Sequence, residues 1–225
     1  MASKITCYVD SMSLYSYFAF TYLLTQRSVL STHNVTIEFI PVFIGGIMAG
    51  SGNKPPWMVA TKAAYGKFDM LYAERYFGLP GINAPSAFPV SSLKPQRALC
   101  YIKDHYPREK FEEAMRLLWA ALWQKDIDVS QEPLLAATLE NLFTPEELKV
   151  ILEAGNTAEY KKKLLDNTQE VLKAGAFGAP WFMVQNSKGE VTPFFGSDRF
   201  HFMYRFLGLP TNDMSVQVGP GTSKL

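Results

Sequence analysis

Apolar and polar positions alternate with period two from Lys4 to Val9, which predicts a first β-strand. From Leu14 to Arg27 the rhythm changes, with Leu14, Tyr17, Phe18, Phe20, Tyr22 and Leu24 at helical spacing. Val35 to Ile40 is rich in β-branched residues and predicts a second strand, closed by Pro41. A strand, a helix and a strand in this order imply parallel strands and a right-handed crossover.

Between about Pro56 and Ala174 the helical period dominates and no convincing strand is found. The spacing predicts helices over Met58–Phe77, Lys94–His105, Arg108–Gln124, Glu146–Glu153 and Ala158–Lys173. Thr144-Pro145-Glu146-Glu147 is a capping box with proline in the first turn. Lys161, Lys162 and Lys163 read as a solvated face. Strands return at Trp181–Gln185 and Glu190–Phe195, joined by the turn Asn186-Ser187-Lys188-Gly189. Gly196-Ser197-Asp198 then caps a last helix, Arg199–Leu207. Strands at both ends with helices between them predict one α/β sheet interrupted by a helical insertion. The expected division is 1–55 with 175–213 as the sheet domain, 56–174 as the insertion, and 214–225 as a tail.

Composition narrows the classes. The chain has 225 residues, 48% apolar and 19% charged, an ordinary globular balance. A net charge of +1 gives no bulk electrostatic case for nucleic acid or anionic membrane as a partner. No segment is long and apolar enough for a membrane span, so a soluble protein is expected. Cys7 and Cys100 with scattered His33, His105 and His201 cannot build a zinc site, so no metal is expected. They fit a reducing compartment. The terminal Ser223-Lys224-Leu225 matches the signal read by the peroxisomal import receptor, so a peroxisomal location is expected.

Four segments carry candidate chemistry. Asp10-Ser11-Met12-Ser13-Leu14-Tyr15-Ser16 lies where the first strand meets the first helix, and Ser13 is its natural N-cap. The partial positive charge of a helix N-terminus also favours a thiolate beside Ser13. Gly175-Ala176-Phe177-Gly178-Ala179-Pro180 sets a proline directly before a strand, a candidate cis peptide that would present the Ala179 backbone to a peptide-like ligand. Phe195-Gly196-Ser197-Asp198-Arg199 offers N–H donors and a carboxylate suited to an amino-acid head group, or simply caps a helix. Ile44 to Pro56 is glycine-rich, but Asn53 precedes Lys54 and Pro55 follows it, so the phosphate-loop pattern fails. This stretch reads as a flexible loop with Asn53 as a polar contact.

Taken in order and at these separations, the four segments resemble the kappa class of glutathione transferases, within the thioredoxin superfamily and close to DsbA-type oxidoreductases. The likeness covers about residues 3 to 210. It implies a thioredoxin-like α/β fold (β-α-β, helical insertion, β-β-α) and glutathione as co-substrate, with no further cofactor. It implies that Ser13 hydrogen-bonds the glutathione sulfur as the catalytic residue, with contacts from Leu14 and Tyr15. Asn53 would touch glutathione, with Lys62 nearby. Ala179, before Pro180, would pair with the cysteinyl part, and Ser197 and Asp198 would hold the γ-glutamyl group. A homodimer and a small hydrophobic electrophile are further implications. Two positions depart from the pattern: Leu14 stands where the family usually has proline, and Ala179 where a larger aliphatic residue is common.

The expected activity is conjugation of glutathione to electrophiles, with reduction of organic hydroperoxides as a companion. Trp57 is a candidate for the pocket wall. A glutathione-dependent 2-hydroxychromene-2-carboxylate-type isomerase and a non-enzymatic glutathione-binding protein remain as alternatives. Disulfide exchange is rejected, because Ser13 and Ser16 occupy the two redox-cysteine positions.

Overall fold

The computed structural model describes residues 2–211. The terminal Ser223-Lys224-Leu225 lies outside them. The protein folds as a thioredoxin-like α/β structure around a four-stranded sheet. Its elements are β1 (Ser3–Val9), α1 (Leu14–Thr32), β2 (Val35–Pro41), α2 (Ile44–Ser51), α3 (Ala60–Phe77), α4 (Leu93–His105), α5 (Arg108–Lys125), α6 (Glu132–Leu139), α7 (Pro145–Gly155), α8 (Ala158–Lys173), β3 (Trp181–Gln185), β4 (Val191–Phe195) and α9 (Phe200–Phe206). The strand order is β2-β1-β3-β4, with β1 parallel to β2 and antiparallel to β3. The central β1 is therefore buried on both sides, while Pro193 is accommodated on the edge strand β4.

Period-two alternation sorts side chains onto two faces. Ile5, Cys7 and Val9 of β1 and Phe182 and Val184 of β3 enter the main core with α1, α4 and α5. Tyr8 and Trp181 point to the other face, against Ile47 of α2 and Val171 of α8. The main core runs without a break from the sheet into the 56–174 helices, through Leu99, Trp119, Leu135 and Ile151. A bidentate pair, Arg27 to Glu112 at 2.6 Å on both arms, clamps α1 to α5.

Two helices depart from the sequence reading. The expected flexible loop after Pro41 is instead α2, and its glycines serve close packing. A Cβ on Gly50 would come within 2.7 Å of Leu172 Cδ1, and one on Gly46 within 3.2 Å of Thr168 Cγ2. Both contacts press α2 onto α8, so burial of Ile47 offsets the poor helix propensity of glycine. The second is α6, absent from the sequence reading. It starts at Glu132-Pro133 and buries Leu135 and Leu139 one turn apart. The capping box at Thr144 forms as expected, with Thr144 and Glu147 bonded reciprocally.

Candidate active site

The turn from β1 into α1 is built on Ser13. Its backbone is extended (φ −81°, ψ 112°), and its Oγ accepts from Ser16 N at 3.1 Å, the N-cap geometry. The same hydroxyl donates to the Ala179 carbonyl at 3.0 Å, across 166 residues of sequence. Ala179–Pro180 is cis. Two of the four candidate segments thus meet at one buried hydroxyl. A hydroxyl proton rotates freely, so Ser13 can turn its donor from Ala179 to an anion placed before α1. The first N–H groups of α1 have no intrahelical acceptor and point the same way.

The other candidates group around this contact unequally. Asn53 Nδ2 donates to Phe177 O at 2.7 Å, which ties the end of α2 to the loop that holds Ala179. Gly196 N donates to Pro180 O at 3.2 Å, and this brings the 196–199 turn alongside. Gly196 has φ +92°, and a Cβ there would strike Asp198 Oδ1, so glycine is required. Ser197 is buried, while Asp198 is exposed and paired with Arg199. The expected helix cap by Gly196-Ser197-Asp198 does not form: α9 begins at Phe200, its N-cap is Arg199, and no side-chain cap bond is made. Asp198 is drawn to the adjacent guanidinium instead.

Leu14 buries its side chain in the core, so only its backbone faces the α1 N-terminus. Tyr15 donates its hydroxyl to Asp69 of α3. Burial, followed by the Asp69 carboxylate, pushes its phenol well above the ordinary range; Tyr65 and Asp198 add to this. Lys62 stands exposed on the first turn of α3.

Sequence reasoning passed over several residues that shape the site. Trp119 of α5 donates Nε1 to Asp10 O at 3.0 Å, and Trp123 follows one turn later, about 6 Å along the helix. Trp123 packs on Phe88 (5.5 Å), which packs on Trp57 (4.7 Å), so an aromatic row leads away from the Asp10 turn. The buried Trp123 Nε1 has no partner among the described residues. Trp57 was the one member of this row named from sequence, and the aromatic content of α5 was the other hint. The described residues contain no group of His, Cys, Asp and Glu side chains that could hold a metal, and no helix long and apolar enough to cross a membrane. Cys7 and Cys100 are free, buried thiols, and burial raises both, Cys100 to about 12.

A strand-to-helix turn facing a cis-proline loop is the layout of a thioredoxin-fold site, and residues 4–208 match the DSBA-like thioredoxin domain family, to which the chain belongs. Within that fold it is a member of the kappa class of glutathione S-transferases. It is 30% identical over 214 residues to glutathione S-transferase kappa 1 of Caenorhabditis elegans, covering 92% of both chains. It is likewise 30% identical over 210 residues to glutathione S-transferase kappa 1 of Homo sapiens, covering 91% of this chain and 90% of that one. Among solved structures, a 2-hydroxychromene-2-carboxylate isomerase superposes with a TM-score of 0.74 at 18% identity, over 91% of this chain and 94% of that chain.

Proposed function

We propose that this protein is a glutathione S-transferase in which Ser13 and the N-terminus of α1 hold the glutathione thiolate for attack on a small hydrophobic electrophile. The observation that carries the reading is the Ser13 hydroxyl meeting Ala179 at the mouth of α1. A free thiol has a pKa of about 8.5, and each unit of depression by the hydroxyl and helix field is worth about 1.4 kcal/mol. The thiolate lone pair forms a carbon–sulfur bond while the leaving group departs with its electron pair. With a hydroperoxide, two glutathiones become the disulfide as the peroxide is reduced to alcohol and water. Ala179 presents backbone to the cysteinyl part, Asn53 lies across from it, and Ser197 with Asp198 receives the γ-glutamyl group once Arg199 releases Asp198. Trp57, Phe88 and Trp123 supply the apolar wall for the electrophile.

The same reading includes a homodimer. Its support is a stripe on α3, where Tyr65, Phe68, Tyr72 and Tyr76 are 65%, 64%, 69% and 76% exposed at spacings of three and four residues. The isomerase alternative is favoured by structural likeness alone, and it differs in leaving glutathione unconsumed. The deciding test is ultraviolet thiolate absorbance of the glutathione complex against pH, for wild type and Ser13→Ala, with glutathione consumption followed alongside. The expected result is a depressed thiol pKa that rises in Ser13→Ala, with kcat/KM about 100-fold lower, or about 2.7 kcal/mol. Equal thiol pKa values in the two proteins would leave Ser13 as a helix cap only.

A further inference from the structure

Behind Ser13 lies a polar cluster that no ligand reaches. Asp10 is fully buried. Its Oδ1 accepts from Met12 N at 2.7 Å, and its Oδ2 accepts from Ile44 N at 2.8 Å and Ser92 Oγ at 2.7 Å. Its carbonyl accepts from Ser13 N and from Trp119 Nε1, both at 3.0 Å. Gln96 locks the rest of the turn: Oε1 accepts from Ser11 N at 3.2 Å, and Nε2 donates to Val9 O at 2.8 Å and Val42 O at 2.7 Å. The groups facing Asp10 come from its own turn (Met12, Ser13, Ser16), from α2 (Ile44), from the start of α4 (Ser92, Gln96) and from α5 (Trp119), and none of them is charged or titrates near neutral pH.

A carboxylate without a countercharge is expensive in a core. A hydroxyl residue could cap this turn at lower cost, so the carboxylate needs another reason. Three donors converge on it from three chain segments, and only a carboxylate accepts on both oxygens at once. Asparagine would set its own N–H₂ against one of those donors. Moreover, the two backbone donors belong to the two segments that carry Ser13 and lead to Asn53. Met12 precedes Ser13, whereas Ile44 opens α2, the helix that leads to Asn53.

We infer that Asp10 is a positioning residue that fixes the Ser13 turn to the start of α2, so that the two walls of the glutathione site hold one spacing. The inference rests on the reading of Ser13 and Asn53 given above. A proton on either carboxylate oxygen removes an acceptor and uncouples one wall. Burial raises the Asp10 carboxyl to about 6, against the lowering effect of Ile44, Met12 and Ser92, which puts this event in mildly acid solution.

The probe is S-methylglutathione, which has no thiol and whose remaining groups do not titrate between about pH 5 and 7. Its dissociation constant is measured by calorimetry across that range for wild type, Asp10→Asn and Ser92→Ala, with circular dichroism as the check of folding. Wild-type binding weakens several-fold below about pH 6. Asp10→Asn binds more weakly at pH 7, with a flat profile. Ser92→Ala removes one donor from the carboxylate, so its inflection moves to higher pH. A flat wild-type profile, or an inflection that persists in Asp10→Asn, overturns the inference, because the titrating group then lies elsewhere. If Asp10→Asn does not fold, Ser92→Ala decides alone, and an unmoved inflection overturns the assignment. No binding to the wild type at any pH overturns the glutathione reading itself, and this assignment with it.

Discussion

The turn from Asp10 to Ser16 and the helix α3 are neighbours and are built in opposite ways. In the turn, Asp10, Ser11, Ser13 and Ser16 are all buried; Asp10, Ser11 and Ser13 are tied by hydrogen bonds to α2, α4, α5 or the cis-proline loop, and Ser16 is bonded within the turn. Helix α3 buries no residue at all and shows a stripe of aromatic rings to the outside. Its polar tie to the turn is the bond from Tyr15 to Asp69. Stabilising a thiolate requires donors fixed in advance, because a donor that must reorganise loses most of its advantage. Accepting varied electrophiles, or a second copy of the chain, requires a surface that can adjust. On the proposed reading, these demands fall to two walls of the site, the rigid turn and the adjustable α3.

The largest expected effect comes from breaking the rigid wall. Trp119 stacks on Tyr17 at 5.5 Å, packs against Phe20 and holds the Asp10 carbonyl, so Trp119→Ala should cost about 3–5 kcal/mol. Denaturant unfolding measures that loss, and thiolate formation should fall with it. Next comes the pH response of Asp10. Its carboxyl is raised from 3.8 to about 6 on folding, so its contribution to stability is complete below its unfolded value and disappears as pH rises through about 6. A difference of about two units corresponds to a loss of about 3 kcal/mol at most. Melting curves from pH 4 to 7 should show this slope in wild type and not in Asp10→Asn.

Smaller effects lie on the adjustable wall. Tyr15→Phe removes the bond to Asp69 and should cost about 1 kcal/mol. Steady-state kinetics should show KM for the electrophile changing while the glutathione thiol pKa stays near the wild-type value. A matching shift in the thiol pKa would mean that the two walls are not separable. Least of all, Tyr72→Ser on the exposed stripe should change monomer stability by no more than about 0.5 kcal/mol. Its signature is weaker self-association in sedimentation equilibrium, and an unchanged molecular weight would remove α3 from the proposed dimer contact.

Much of this organisation was legible in local chemistry. The strands around Cys7, Phe39 and Phe182, the capping box at Thr144 and the N-cap at Ser13 each depend on a few adjacent residues, whose periodicity and hydrogen-bonding groups act within one turn or one strand. The separate motifs around Ser13, Asn53 and Ala179 were visible for the same reason. Their meeting was not. Ser13 reaches Ala179 across 166 positions, and Asp10 reaches Ser92 across 82, distances at which side-chain patterns carry no information about contact. Helix α2 was misread because glycine is a poor helix former in isolation, and only Leu172 and Thr168 of α8, packed against Gly50 and Gly46, make small residues the better choice. Asp10 is the sharpest case. In the chain it is one polar residue after a strand, and only burial beside three uncharged donors turns it into a shared anchor for the Ser13 turn and the start of α2, because a carboxylate acquires its energetic weight from what surrounds it.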